Sequence, residues 1–238
     1  RYNIGAGSSD EGAQSVLSDT WRKAESFETA PGVYDWTRDE NAVWFLKKAV
    51  ESGVTDVVLF CNSPLERLTV SGKAYGNAKA ESFSNITAEN YEAFAKYVLD
   101  VTEHFVEEGI PVKFVSPINE PQWEWTGGQE GCHYEPEEMA AALKVFVKAI
   151  GERKSLQNIE ISAPELGEWG NTSIKYFNKL FEDDMLADYF TSLDVHSYWT
   201  ESGTKGITKN ILDKLKSGLI LRTSEWCEMT NGRDYTMD

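Results

Sequence analysis

Two glutamates follow two separate strand-like runs, and their placement is the chemistry this sequence offers first. Val112–Ser116, apolar and β-branched, leads into Pro117-Ile118-Asn119-Glu120-Pro121, and Leu219–Thr223 leads into Ser224-Glu225-Trp226. Two carboxyl groups delivered by different strands are what cleavage of a glycosidic bond needs. One protonates the departing oxygen, and the other attacks the anomeric carbon or activates a water. The acid must hold its proton at working pH while its partner stays ionised, held by hydrogen-bond donors. A lone glutamate at a strand end is more often an ion-pair or capping residue. An Asn-Glu-Pro after one strand, with a Ser-Glu-Trp three strands later, is a more specific combination. Metal chemistry has less to build on. The three histidines, His104, His133 and His196, form no ligand pair at helical or strand spacing, so we expect no catalytic metal and no cofactor.

The elements that must carry these glutamates alternate. Strand-like runs recur at Tyr2–Gly5, Val57–Cys61, Val112–Ser116, Ile159–Ala163, Leu193–His196 and Leu219–Thr223. Helical patterns lie between them at Asn41–Ser52, Ala88–Glu108, Pro136–Glu152, Ile174–Phe181 and Thr208–Lys216, several of them ended by glycine. Such alternation implies parallel strands with crossover helices, hence a doubly wound sheet or a barrel. No glycine-rich phosphate fingerprint follows the first run, whereas polar and aromatic residues follow several different runs, which favours an α/β fold of the TIM (β/α)8 type. A closed barrel needs eight strands, so six visible ones suggest a single catalytic domain over residues 1–238 that lacks barrel segments at both ends.

Composition bounds the partners. The 238 residues, 41% hydrophobic and 12% aromatic, can bury a full core. A formal charge of −16 makes nucleic acid and anionic surfaces poor partners and suits a neutral substrate. No apolar run is long enough to span a membrane, and no leader-like segment opens the chain. Cys61, Cys132 and Cys227 are too few for a disulfide framework, although one pair is possible. Trp123, Trp125, Trp169, Trp199 and Trp226 all follow strand-like runs, where sugar C–H faces would stack on them. Trp21, Trp36 and Trp44 lie on or near helices and are expected to pack in the core or staple helix ends.

The stretch Ser116–Trp125 (SPINEPQWEW), with Glu225 on the later run, resembles glycoside hydrolase family 30 of the retaining (β/α)8 barrel glycosidases. RYNIG at the start, KAESFE at Lys23–Glu28, CNSP at Cys61–Pro64, VSGKAYGN at Val70–Asn77, GGQEGCHYEP at Gly127–Pro136 and VHSYW at Val195–Trp199 resemble its endo-β-1,6-galactanase branch. The resemblance implies Glu120 as acid/base, Glu225 as nucleophile, Asn119 as the amide on the sugar 2-hydroxyl, and Arg1 as the arginine beside the nucleophile. It also implies that Asn62 and Ser63 shape the sugar pocket. Either His196 or Tyr198 is expected to hydrogen-bond the nucleophile or the sugar. The implied reaction is double displacement on a β-linked polysaccharide or oligosaccharide, with carboxyl groups about 5–5.5 Å apart. Polymeric glycans are degraded outside the cytoplasm, which implies secretion or the cell envelope. One departure bears on substrate: where the branch has a proline and aromatic residues, this chain has Leu65-Glu66-Arg67-Leu68. The competing reading is a carbohydrate-binding barrel without turnover, and the intact glutamate pair argues against it.

Overall fold

The structure, a computed structural model, describes residues 1–76, 84–198, 200, 202–226, 228–230 and 233–235. Trp199 and Cys227 lie outside the described residues. The expected strands form around parallel pairings: β1 (Tyr2–Asn3), β2 (Val57–Phe60), β3 (Val112–Ser116), β4 (Glu160–Ile161), β5 (Pro164–Leu166), β6 (Ser192–His196) and β7 (Ile220–Glu225). The first four pair in chain order into one sheet and the last three into another.

The break between the two sheets corrects the run expected at Ile159–Ala163. Glu160–Ile161 pairs with β3, and Pro164–Leu166 pairs with β6. Between them, Ser162 N donates to Val115 O at 2.8 Å, and Ala163 O accepts from Asp194 N at 2.9 Å. Pro164 has no N–H to continue the ladder, so the chain turns its hydrogen bonding from one neighbour to the other. β4 and β5 are thus two halves of one barrel position, and the described residues form a six-position arc of a (β/α) barrel.

Helices α1 (Glu40–Glu51), α2 (Tyr91–Glu107), α3 (Pro136–Gly151), α4 (Asn171–Glu182), α5 (Asp184–Tyr189) and α6 (Ser202–Leu215) supply the crossovers. Proline in the first turn of α3, with Glu137 and Glu138 beside it and Lys148 in the last turn, suits the helix macrodipole. α2 ends where Gly109, at φ 82°, takes a left-handed conformation and Ile110 N reaches back to Phe105 O at 3.0 Å. The inner faces meet in one apolar core holding Leu59, Val115 and Val195 from the strands and Phe94, Phe146 and Phe177 from the helices. Phe94 and Phe146 pack edge to face with centroids 5.3 Å apart, locking α2 to α3.

The expectation for three tryptophans needs correction. Trp36 does pack inward, stacked between Tyr34 at 4.8 Å and His104 at 4.0 Å. Trp21 is 76% exposed and Trp44 54% exposed, so neither is core. On α1 only Leu46 is fully buried, and the neighbouring Phe45 faces outward, because the helix is amphipathic over a narrower stripe than its apolar content suggests. Among the described residues, the hairpin Glu28–Ala30 with Val33–Tyr34, the hairpin Glu228–Thr230 with Arg233–Tyr235, and α5, begun by Asp183 accepting from Leu186 N at 3.2 Å, have no counterpart in the expected set.

Candidate active site

β3, β5, β6 and β7 bring their C-terminal ends to one mouth, and the polar side chains found there form a single network. Glu225 is the last residue of β7, two positions beyond the expected strand end, and lies in register with His196 at the end of β6. Glu120 follows β3 by four residues and takes a positive φ of 44°. A non-glycine residue in that region is uncommon and persists only when its surroundings fix it. Here its amide donates to Glu165 O at 2.8 Å, its carbonyl accepts from Trp125 Nε1 at 3.1 Å, and Glu165 itself sits at φ 53°.

His196 is the hub. Its fully buried ring donates from Nδ1 to Glu120 Oε1 at 2.8 Å and from Nε2 to Glu165 Oε2 at 2.9 Å, and Nδ1 lies 3.4 Å from Glu225 Oε2. Burial alone would lower its pKa, but hydrogen bonds to Glu120 and Glu165 and the charges of Glu225 and Glu165 overcome this and raise it to about 9. The ring is therefore an imidazolium at neutral pH. Glu165 is the reverse case. Burial would raise its pKa, yet the His196 bond, the Arg1 and His196 charges and a Ser162 hydroxyl at 2.6 Å bring it down to about 2. Ser224 also donates to it, and Arg1 Nη2 stands 3.7 Å away.

Glu225 is held from two sides. Arg1 Nη1 donates to Oε1, and the Tyr198 hydroxyl donates to Oε2 at 2.9 Å. Arg1 is itself seated over the Phe60 ring at 4.2 Å. Of the two residues expected to reach the nucleophile or sugar, Tyr198 bonds Glu225, and His196 bonds Glu120. Asn119, 5% exposed, donates to Asn62 Oδ1 at 3.1 Å, and Asn62 donates to Asn3 Oδ1 at 3.3 Å. Asn119 Oδ1, both polar atoms of the Gln122 amide, and Trp169 Nε1 are buried without a hydrogen-bond partner. Buried polar atoms are normally paired, so such orphans around a carboxyl pair suit a ligand rich in hydroxyls.

The other expected residues occupy different places. Trp123, half-buried, caps the turn after Glu120, its N donating to Glu120 O at 3.3 Å. Trp125 packs against Gly131 and braces the Glu120 loop from beneath. Trp169 is half-buried, with its backbone N donating to Thr200 Oγ1 at 3.1 Å, and Trp226 is 47% exposed beside Glu225. Ser63 turns to its own neighbour, Pro64 O, at 3.0 Å. Glu66 and Arg67 point away from the carboxyl pair. Glu66 accepts from the amides of Gln14 and Ser15, and Arg67 bonds Glu28 at 2.8 Å. Glu165, Ser162, Ser224 and Asn3 belong to the network although the sequence reading did not single them out. The available signal was a lone charged residue inside the run Ile161–Leu166.

Glu120, His196 and Glu225 present side-chain atoms all within 4.8 Å of one another, the spacing of a metal cluster. A doubly donating imidazolium has no lone pair for a cation, so the donor set suits proton transfer better than metal ligation. No helix among the described residues is long and apolar enough to cross a membrane.

Comparison with known proteins places this arrangement. The chain is 28% identical over 159 residues to an endo-β-1,6-galactanase of Hypocrea rufa, a match covering 60% of this chain and 33% of that protein. A conserved exported protein from Bacteroides fragilis superposes with a TM-score of 0.83 at 24% identity, over 99% of this chain and 52% of the other. An endo-β1,6-glucanase superposes at 0.70 and 15% identity, over 96% of this chain and 48% of the other. This chain thus spans about half the length of these solved structures and a third of the curated relative. The family model for O-glycosyl hydrolase family 30 matches residues 1–204, which takes in β1 to β6 with Arg1, Glu120, Glu165 and His196, and the chain belongs to that family.

Proposed function

We propose that the chain carries the catalytic centre of a retaining glycoside hydrolase acting on β-linked glycans, with Glu225 as nucleophile and Glu120 as acid/base. The observation that carries this reading is the pair itself. Glu120 and Glu225 come from separate strands with carboxylate oxygens within 4.8 Å, near the about 5–5.5 Å of double displacement and short of the about 6.5–9.5 Å that leaves room for an inverting water. Their surroundings support the division of roles. Arg1 and Tyr198 both donate to Glu225 and orient it, as a nucleophile requires, whereas Glu120 stands 12% exposed on a loop where it can meet the departing oxygen. Glu225 attacks the anomeric carbon, Glu120 protonates the leaving group, and Glu120 then takes the proton of the water that releases the sugar. Asn119, with Oδ1 unpaired, is placed to bind a hydroxyl of the reacting sugar.

The galactanase and glucanase relatives make β-1,6-linked galactan and glucan the first substrates to try, and the exported relative supports action outside the cytoplasm. The test is sugar release from a panel of β-linked polysaccharides by wild type and by Glu225→Gln, with the anomeric form of the first product read by NMR. The β-anomer, released by wild type alone, is expected. Initial release of the α-anomer refutes double displacement, and equal release by Glu225→Gln refutes the nucleophile.

A further inference from the structure

Beyond the carboxyl pair, the same mouth carries a second concavity that shares only Asn3 and Asn62 with the network described above. A cavity of about 270 Å³ opens between the loops that follow β1, β2 and β3, lined among others by Asn3, Trp21, Arg22, Lys23, Asn62 and Gln129. It is smaller than the about 300–1,000 Å³ typical of pockets for drug-sized ligands, room for one small polar unit and not a chain.

Trp21 is the unusual member. It sits on a single 3-10 turn, Thr20–Arg22, and remains 76% exposed. An exposed indole offers a flat apolar face that the C–H face of a sugar can cover. The turn is nevertheless firmly placed. Ser18 N donates to Gly127 O at 2.9 Å, Asp19 N donates to Gly128 O at 3.3 Å, and Arg22 donates to Gln129. The Arg22 guanidinium also lies 4.4 Å from the Trp21 ring centroid. The turn that carries the ring is thus tied to the loop that follows Glu120.

The cavity connects to the catalytic centre through amides. Asn62 lines it and accepts from Asn119 at 3.1 Å, while Asn3, also in its wall, accepts from Asn62 at 3.3 Å. One asparagine side chain therefore separates the cavity from the residue preceding Glu120. An exposed indole on a tethered turn, with amides and an ammonium around it, matches a pyranose, whose C–H face stacks on aromatic rings while its hydroxyls take hydrogen bonds.

We propose that this cavity is an accessory sugar subsite, in which Trp21 stacks a unit of the glycan chain next to the unit held at the carboxyl pair. The assignment rests on the glycosidase reading above and adds the position and platform of a neighbouring unit. It predicts dependence on chain length: a monosaccharide fills the catalytic position without needing Trp21, and chains that also reach the neighbouring position gain from it.

The experiment titrates galactose, glucose and their β-1,6-linked oligosaccharides of two to five units into the Glu225→Gln protein, with and without Trp21→Ala, by calorimetry. Stacking worth about 0.5–1.5 kcal/mol corresponds to about 2- to 12-fold in affinity. Trp21→Ala is expected to weaken binding of the four- and five-unit chains by that factor and leave the monosaccharides unchanged, with Trp21→Phe restoring most of the loss. Trp21 lies on the surface, so its removal leaves the core packing intact, and circular dichroism checks the fold. Equal affinity of both proteins for the longer chains, an equal loss at every length, or no binding of either series overturns the subsite. Sugar release by the wild type from the polysaccharide panel decides separately whether the glycosidase reading stands.

Discussion

Glu165→Gln is the sharpest test of the idea that a buried ion pair organises the mouth. The substitution keeps shape and removes charge. It breaks the 2.9 Å bond from His196 Nε2 as an ionic contact and leaves Arg1, 3.7 Å away, with Glu225 as its one remaining close carboxylate. The rise of the His196 pKa from 6.5 to about 9 corresponds to about 3 kcal/mol favouring the charged ring, with Glu165 supplying one of its two direct hydrogen bonds. Breaking a buried pair from one side costs about 3–5 kcal/mol, because the surviving charge is left in a poor solvent. For a chain of this size that is about 6–20 °C in melting temperature. The pH dependence has a definite sign. His196, raised in the folded state, stabilises fully below 6.5 and loses its contribution as pH climbs through about 9. Glu165, lowered to about 2, stabilises above 4.5 and loses its contribution as pH falls toward 2. In the variant the alkaline loss moves to lower pH, since the ring titrates closer to 6.5. Thermal unfolding across pH 4–10, with NMR titration of the His196 ring, measures both effects. A drop of under about 3 °C with His196 still titrating near 9 refutes the reasoning.

Three further outcomes follow from the same geometry. Tyr198→Phe removes the 2.9 Å bond to Glu225, and a hydrogen bond to a charged group is worth about 1.5–3 kcal/mol; kcat is expected to fall about 10- to 100-fold with KM nearly unchanged, as steady-state kinetics will show. Gly167→Ala places a methyl 2.9 Å from Glu120 Oε1 and 2.7 Å from Trp123 Nε1, so the acid/base must shift; a loss of about 10- to 100-fold in kcat is expected, with the fold retained by circular dichroism. Glu130, fully buried, accepts from the amides of Ala6 and Ser8, yet burial outweighs those bonds and lifts its pKa to about 7. The folded state therefore prefers the protonated carboxyl, and stability falls as pH rises from about 4.5 to about 7. Glu130→Gln keeps an acceptor for both amides and is expected to flatten that slope in pH-resolved thermal melts.

The legibility of this chain was uneven for physical reasons. Strand positions were read correctly where apolar runs are long and glycine or polar residues bound them, as at Val57–Phe60 and Val112–Ser116. The β4–β5 position was misread because its information is a proline that redirects hydrogen bonding, which periodicity does not register. α5 has six residues, too few to show a period, and its start depends on the Asp183 cap. Glu120, Glu225, Arg1 and Asn119 were legible because short motifs carry them. Glu165 was not, since a buried glutamate declares itself only through partners from β1, β6 and β7, which lie far off in sequence. Trp21 and Trp44 failed the opposite way: hydrophobicity predicts burial, and only the tertiary structure shows which apolar side chains are left outside.

The charge count at the mouth explains why the chain needs a third carboxylate there. Under the proposed mechanism Glu120 begins protonated, so Glu165 and Glu225 contribute two negative charges against the two positive charges of Arg1 and His196. After attack, Glu225 is esterified and Glu120 carries the charge instead, and the sum is again zero. His196 touches both glutamates, 2.8 Å from Glu120 and 3.4 Å from Glu225, so the negative charge passes from one side of a fixed cation to the other without entering uncompensated space. That arrangement works only if the cation stays put and stays charged, and Glu165 ensures both by holding the opposite ring nitrogen at 2.9 Å. Without Glu165 the ring could neutralise in the half-reaction where Glu225 is esterified, weakening the stabilisation of whichever carboxylate is ionised. Preorganised charge of this kind costs nothing at the moment of reaction, since its energetic cost is met on folding. On this reading Glu165 touches no substrate and governs turnover through His196, so Glu165→Gln should lower kcat more than it raises KM.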